Sequence, residues 1–119
     1  HNNINEWYRA LDLFIAPQRW EGFGLTPLEA QASGVPVVAA DVGAFDEIIA
    51  RGEAETGTVV AKDDLDALAD ATAAFMDDDA RRQAAAQRAR PHVLANFTIE
   101  GEAERLSETY EAVWRQADA

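Results

Sequence analysis

"RWEGFGLTPLEAQASGVPVVAAD" (residues 19–41) places two glutamates, Glu21 and Glu29, on either side of a glycine-flanked turn and just ahead of an apolar run. "TPLEAQAS" (26–33) predicts a helix with Thr26 as its N-cap, Pro27 at the first helical position and Glu29 at the third. Gly34 supplies the stop, since glycine accepts the left-handed conformation that ends a helix. "VPVVAAD" (35–41) then reads as a buried strand. Upstream, "LFIAP" (13–17) is a second short apolar run, ended by Pro17, that also reads as a buried strand, and the glycines fall in the loop 18–25 between them.

The rest of the chain continues the alternation. Asn3 is placed to cap a first helix, with Glu6 in capping-box position and Ile4, Trp7, Tyr8 and Leu11 at the spacing of one helical face. A turn at Gly43 leads to a short helix around 45–50. "TGTVVA" (56–61) reads as a third strand, bounded by Gly52 and Gly57 on one side and Asp63-Asp64 on the other. In 64–77, Leu65, Leu68, Thr72, Phe75 and Met76 form one face of a helix. The segment 80–95 is helical and rich in alanine and arginine. Asn96-Phe97-Thr98 is a break, and 99–117 is amphipathic through Ile99, Ala103, Leu106, Tyr110, Val113 and Trp114.

Strands that alternate with helices and lack polar alternation predict an α/β fold, a parallel sheet covered on both faces. A doubly wound nucleotide-binding domain has about six strands in two halves. Three strands match the second half, followed by C-terminal helices. His1 in first place and Met76 as the only methionine read as a piece of a longer chain.

Composition excludes several functions. A net charge of −12, from 22 acidic and 10 basic residues, argues against a nucleic-acid partner, which requires a basic footprint. Arg81, Arg82, Arg88 and Arg90 form a local basic segment that reads as a solvated helix face. Without cysteine there is no disulfide framework and no thiolate metal site, which fits a reducing compartment. No apolar run is long enough to span a membrane. His92 has no second ligand at metal spacing and reads as structural.

The chemistry gathers at residues 21–29. In an open parallel sheet, ligands bind outside the carboxyl ends of the strands. The turn after the first strand runs into a helix N-terminus, where free N–H groups and the helix dipole favour a phosphate. Gly22 and Gly24 allow close backbone approach. A carboxylate suits sugar hydroxyls, because it accepts two hydrogen bonds from a vicinal diol. Glu29 could reach a ribose and Glu21 a second sugar beyond the phosphate, a pattern that describes a nucleoside diphosphate sugar. Thr26-x-x-Glu29 reads equally as a capping box, with both roles able to coexist. Trp20 stacks on a ligand or packs against its own loop.

"EGFGLTPLEA" followed by "ASGVPVVA" resembles the C-terminal domain of GT-B glycosyltransferases of the family 4 type, whose signature of Glu, seven residues, Glu is met by Glu21 and Glu29. The resemblance covers about residues 13–61. It implies the second half of a Rossmann-like GT-B C-terminal domain and a retaining transferase, with an N-terminal acceptor domain absent from this chain. By the same resemblance Glu29 holds the ribose, and Glu21, the catalytic candidate, contacts hydroxyls of the donor sugar. Gly22, Phe23, Gly24, Leu25 and Thr26 lie along the sugar and diphosphate.

The resemblance further implies no metal and no cofactor beyond the nucleotide-diphosphate sugar itself. The family's diphosphate-gripping Arg/Lys pair falls before residue 1. Its Gly-Gly-x-x-Glu motif is altered here to Val42-Gly43 and Asp46-Glu47. The wording of "APQRWEGFGLTPLEA" is similar to bacterial lipopolysaccharide core mannosyltransferases, which implies GDP-mannose as donor, a glycan or lipid-linked acceptor, and a cytoplasmic location at the inner face of the membrane. The 119 residues alone are expected to be inactive and, through the apolar face of 99–117, to self-associate or expose a patch. A sugar-nucleotide 2-epimerase of the same fold and a non-catalytic interaction module are the alternatives.

Overall fold

The apolar runs that flank residues 19–34 are strands, as their composition predicts, and they lie side by side. In the computed structural model, which describes residues 4–18 and 25–97, β1 (Phe14–Ala16), β2 (Val37–Ala40) and β3 (Gly57–Val60) form a parallel sheet in the order β1-β2-β3. Val37 pairs with Phe14 on one side and Gly57 on the other, which sets the register of the whole sheet. Helices α1 (Ile4–Arg9), α2 (Leu25–Ala32), α3 (Phe45–Ile48), α4 (Leu65–Met76) and α5 (Asp79–Asn96) surround it, with a 3₁₀ turn at Gly52–Ala54.

β2 is central and all four of its residues are buried. Its side chains alternate between two cores, as the pleat requires. Val37 and Ala39 join Tyr8, Ala16, Ala30, Phe45 and Ile48 on the side of α1, α2 and α3. Val38 joins Phe75 and Ala85, with Leu13, Leu68 and Ala71 packed against them, on the side of α4 and α5. Helical crossovers on both faces are what parallel pairing demands.

Local signals account for the helix ends. Gly34 sits at φ +80° and ends α2: its N–H donates to Gln31 O, and the Val35 N–H donates to Ala30 O. Asp64 caps α4 by accepting from the Ala67 N–H at 2.9 Å, and Asp78 caps α5 by accepting from the Arg81 N–H at 3.0 Å.

Several expectations need correction. Thr26 is not the cap of α2; it lies inside the helix, and its Oγ1 is buried with no partner among the described residues. Glu29 is therefore the fifth helical residue and no capping box forms. β1 is an edge strand rather than a fully buried one, so Ile15 is 44% exposed. The predicted helix faces are also too broad: α1 buries Tyr8 but leaves Trp7 74% exposed, and α4 buries Phe75 but leaves Leu65 72% exposed. Finally, Gly57 belongs to β3 rather than bounding it. The proposed Asn3 cap, the loop 19–24 with Trp20, and the helix 99–117 with the self-association expected from it lie outside the described residues.

The arginines of α5 are not a free solvated face either. Arg81 makes a two-pronged ion pair with Glu55, at 2.8 and 3.1 Å, and lies over the Phe75 ring. Arg82 donates to the Phe75 and Met76 carbonyls at the end of α4, and Arg90 donates to Ala32 O at the end of α2. Arg82 and Arg90 thus satisfy carbonyls at the negative end of a neighbouring helix.

Gly57 leaves no room for a side chain. A Cβ there would clash with the Val37 carbonyl oxygen and lie 2.9 Å from the carbonyl carbon. Gly52 has φ +80° but open space around it. Gly52→Ala should cost about 1 kcal/mol, the left-handed penalty. Gly57→Ala should cost about 3 kcal/mol or more, because the backbone of β2 or β3 must shift. Urea unfolding of the two variants ranks them, and equal costs would contradict the close approach of β2 and β3.

Candidate functional site

α2 leaves the sheet from its carboxyl edge, because the chain reaches it directly from the end of β1. Its N-terminus therefore lies where open parallel sheets bind ligands. Glu29 sits about 6 Å along the axis from the first helical residue, at 1.5 Å per residue. Its side chain is exposed to solvent.

The Glu29 carboxylate has a fixed partner. The Tyr8 hydroxyl donates to Glu29 Oε2 at 3.0 Å across 21 residues of sequence. Tyr8 is itself core: it is 7% exposed and its ring meets Phe14 at 5.7 Å in a tilted contact. Burial, then the bond to Glu29 and the charge of Glu29, push the phenol up to about 12. Tyr8 is therefore a neutral donor throughout the physiological range. Oε1 of Glu29 has no partner among the described residues, so the bond orients the carboxylate without consuming its acceptor capacity.

The helix that carries Glu29 is tied down by a second group that the sequence did not announce. Gln31 is fully buried. Its amide donates to Pro27 O and to Ile48 O, both at 3.3 Å, and its Oε1 accepts from the Thr56 hydroxyl. Thr56 in turn accepts from the Ala50 N–H at 3.0 Å. The Ile48 carbonyl also takes the His92 ring at 2.7 Å. A carbonyl only accepts, so His92 Nε2 carries the proton and Nδ1 faces the Asn96 amide at 3.3 Å. His92 is structural, as its isolation in the sequence implies. Gln31, Thr56 and His92 together lock α2, α3, β3 and α5 into one arrangement.

Of the predicted site residues, Glu29 and Thr26 share α2 with Leu25, whose backbone opens the helix. Glu21, Gly22, Phe23 and Gly24 lie outside the described residues. Gln18 Oε1 and Thr26 Oγ1 are buried and have no partner among the described residues. They flank the loop that holds Glu21, and buried polar atoms of this kind need a protein, water or ligand partner. Gly43 adopts φ +52°, Val42 is core, Glu47 is exposed, and Asp46 pairs with Arg51. A separate cavity of about 330 Å³ opens beside Pro17, Ala40, Val60, Asp63 and Leu68, also at the carboxyl ends of the strands. Among the described residues no cluster of His, Cys, Asp and Glu could hold a metal ion, and no helix is long and apolar enough to cross a membrane.

Tyr8 makes the site visible to titration. Its folded value of about 12 stands above the usual 10. The unfolded chain therefore loses the phenol proton first as pH rises, and stability falls between about pH 10 and 12. Below that window the contribution is fully present. Glu29→Gln removes the carboxylate charge, so the Tyr8 transition in an ultraviolet titration should move down but stay above 10, where burial alone holds it. A Tyr8 transition unmoved by Glu29→Gln would show that the bond does not form.

Residues 1–92 match the family described as glycosyl transferases group 1. The chain is 59% identical over 115 residues to the lipopolysaccharide core biosynthesis mannosyltransferase LpsB of Rhizobium meliloti (strain 1021), covering 97% of this chain and 33% of the relative. It is 49% identical over 111 residues to the lipopolysaccharide core biosynthesis mannosyltransferase LpcC of Rhizobium leguminosarum bv. viciae, covering 93% of this chain and 31% of that one. The chain thus spans about a third of the length of these relatives. Among solved structures, the C-terminal domain of the glycosyl transferase group 1 family protein LpcC from Francisella tularensis superposes with a TM-score of 0.73 at 37% identity, over 82% of this chain and 49% of that one. Sucrose-phosphate synthase from Thermosynechococcus elongatus superposes with a TM-score of 0.76 at 31% identity, over 92% of this chain and 27% of that one. The three parallel strands and their flanking helices are those of a GT-B C-terminal domain, and the chain belongs to the glycosyl transferases group 1 family.

Proposed function

We propose that these residues form the donor-binding part of a retaining glycosyltransferase that moves a hexose from a nucleotide-diphosphate sugar to a glycan or lipid-linked acceptor. The similarity to lipopolysaccharide core mannosyltransferases favours mannose as the sugar and GDP-mannose as the donor, and favours transfer over epimerisation. The acceptor domain and the basic residues that grip the diphosphate belong, in this reading, to parts of the polypeptide outside residues 1–119.

The observation that carries the proposal is the placement of Glu29. It is an exposed carboxylate, two turns or less from a helix start at the carboxyl edge of a parallel sheet, with one oxygen anchored by Tyr8 and the other without a partner among the described residues. The α2 N-terminus supplies N–H groups for the diphosphate. Glu29 accepts from the ribose hydroxyls, and Glu21 from hydroxyls of the sugar. Thr26 Oγ1, buried and unpartnered among the described residues, supplies a further donor. As the diphosphate departs it gathers negative charge, which the helix terminus and basic side chains stabilise. We assign no metal ion, no enzyme nucleophile and no general base.

Titration of the polypeptide that carries residues 1–119 with GDP, UDP and GDP-mannose tests this reading. One nucleotide should perturb the amide resonances of residues 25–29. Glu29→Ala should weaken its binding about 10- to 100-fold, the worth of a charge-assisted hydrogen bond. Perturbation centred on Val60 to Leu68 instead, with Glu29→Ala binding as tightly as the parent, would move the donor to the neighbouring cavity and overturn the assignment.

A further inference from the structure

Glu29 is an exposed residue on a helix surface, and an exposed glutamate carboxylate ordinarily samples several rotamers. Here it meets a buried phenol. Tyr8 comes from α1, a different element, and its ring is fixed by the core around Phe14 and Ala16. The hydroxyl is the one polar atom of that side chain, and it ends 3.0 Å from Oε2. The geometry points to Tyr8 as a positioning residue: its hydroxyl holds the Glu29 carboxylate so that the remaining acceptor sites face the ribose hydroxyls of a nucleoside diphosphate. This rests on the ribose role of Glu29 proposed above.

The direction of the bond matters. A neutral phenol donates to the carboxylate without neutralising it, so Glu29 keeps its charge for the ligand, whereas an arginine or lysine in the same place would compete with the hydroxyls for it. Burial and Glu29 together keep that phenol protonated up to about pH 12. The ordering cost of one long side chain is met before the ligand arrives, which is how preorganisation raises affinity. A purely structural role for Tyr8, in which Glu29 merely satisfies the hydroxyl, predicts a different pattern of binding.

Affinities of GDP, 2′-deoxy-GDP and 3′-deoxy-GDP for the polypeptide that carries residues 1–119 separate the two, measured by calorimetry on the parent, Tyr8→Phe and Glu29→Ala. Tyr8→Phe keeps the ring that packs on Phe14. In the parent, removal of a ribose hydroxyl should weaken binding about tenfold. In Tyr8→Phe, GDP should bind roughly three- to tenfold more weakly, while the deoxy form binds as in the parent, so the penalty for the missing hydroxyl shrinks. A penalty that stays whole in Tyr8→Phe, whatever the overall affinity, overturns the inference. If that happens while Glu29→Ala abolishes the penalty, the ribose role of Glu29 stands and Tyr8 is only packing. A parent that does not distinguish GDP from either deoxy form overturns the ribose role itself, and the positioning role with it.

Discussion

The buried amide of Gln31 is the interaction on which the arrangement of this domain depends. Every polar site of that side chain is matched: two N–H donors to the Pro27 and Ile48 carbonyls, and the oxygen to the Thr56 hydroxyl. Removing it would leave the Thr56 hydroxyl proton without its acceptor inside the core, at a cost of about 1–3 kcal/mol. The same Ile48 carbonyl, at the end of α3, is claimed by His92 from α5. One backbone oxygen thus joins α2, α3 and α5. The apolar cores on the two faces of β2 supply most of the driving force, but apolar contacts are not directional. The polar network fixes where along the sheet α2 sits, and so where Glu29 stands.

A similar logic runs through the charges. The chain is strongly acidic overall, yet Arg81, Arg82 and Arg90 are held in internal bonds. Arg81 closes over Phe75 while gripping Glu55, Arg82 covers the end of α4, and Arg90 covers the end of α2. α5 has little apolar surface beyond Ala85, Ala89 and Val93, so these bonds to helix ends help dock it. Its small residues permit close approach, and its long ones reach past the interface to carbonyls that would otherwise lack donors. The N-terminal end of α2 is not where they reach: Arg90 stands at its opposite end.

Much of this was legible in the sequence. Strand and helix order and the Gly34 stop follow from local composition and spacing. The failures have one physical cause, which is that tertiary contact decides between locally equivalent readings. Thr26-x-x-Glu29 has the letters of a capping box, but the helix begins two residues earlier, at Leu25, and Tyr8, distant in sequence, claims the carboxylate. Trp7 and Tyr8 are about 100° apart on a helix, so an apolar stripe includes both, yet α1 is narrow at its contact and buries one. Ile15 reads as a core strand residue because an edge strand and a central strand share composition. The role of Gln31 was not legible, since nothing nearby in the sequence announces that Ile48 and Thr56 will converge on it. The loop with Glu21 lies outside the described residues, so Glu29 carries the site alone.

The most direct measurement is a crystal structure of the nucleotide complex of the polypeptide that carries this chain. The ribose should lie within hydrogen-bond distance of Glu29 with the Tyr8–Glu29 bond intact, and the diphosphate should face the first N–H groups of α2. A nucleotide seated in the cavity beside Val60 and Leu68, or a ribose held while Glu29 turns away from both ligand and Tyr8, would contradict the assignment of α2 as the donor-binding helix.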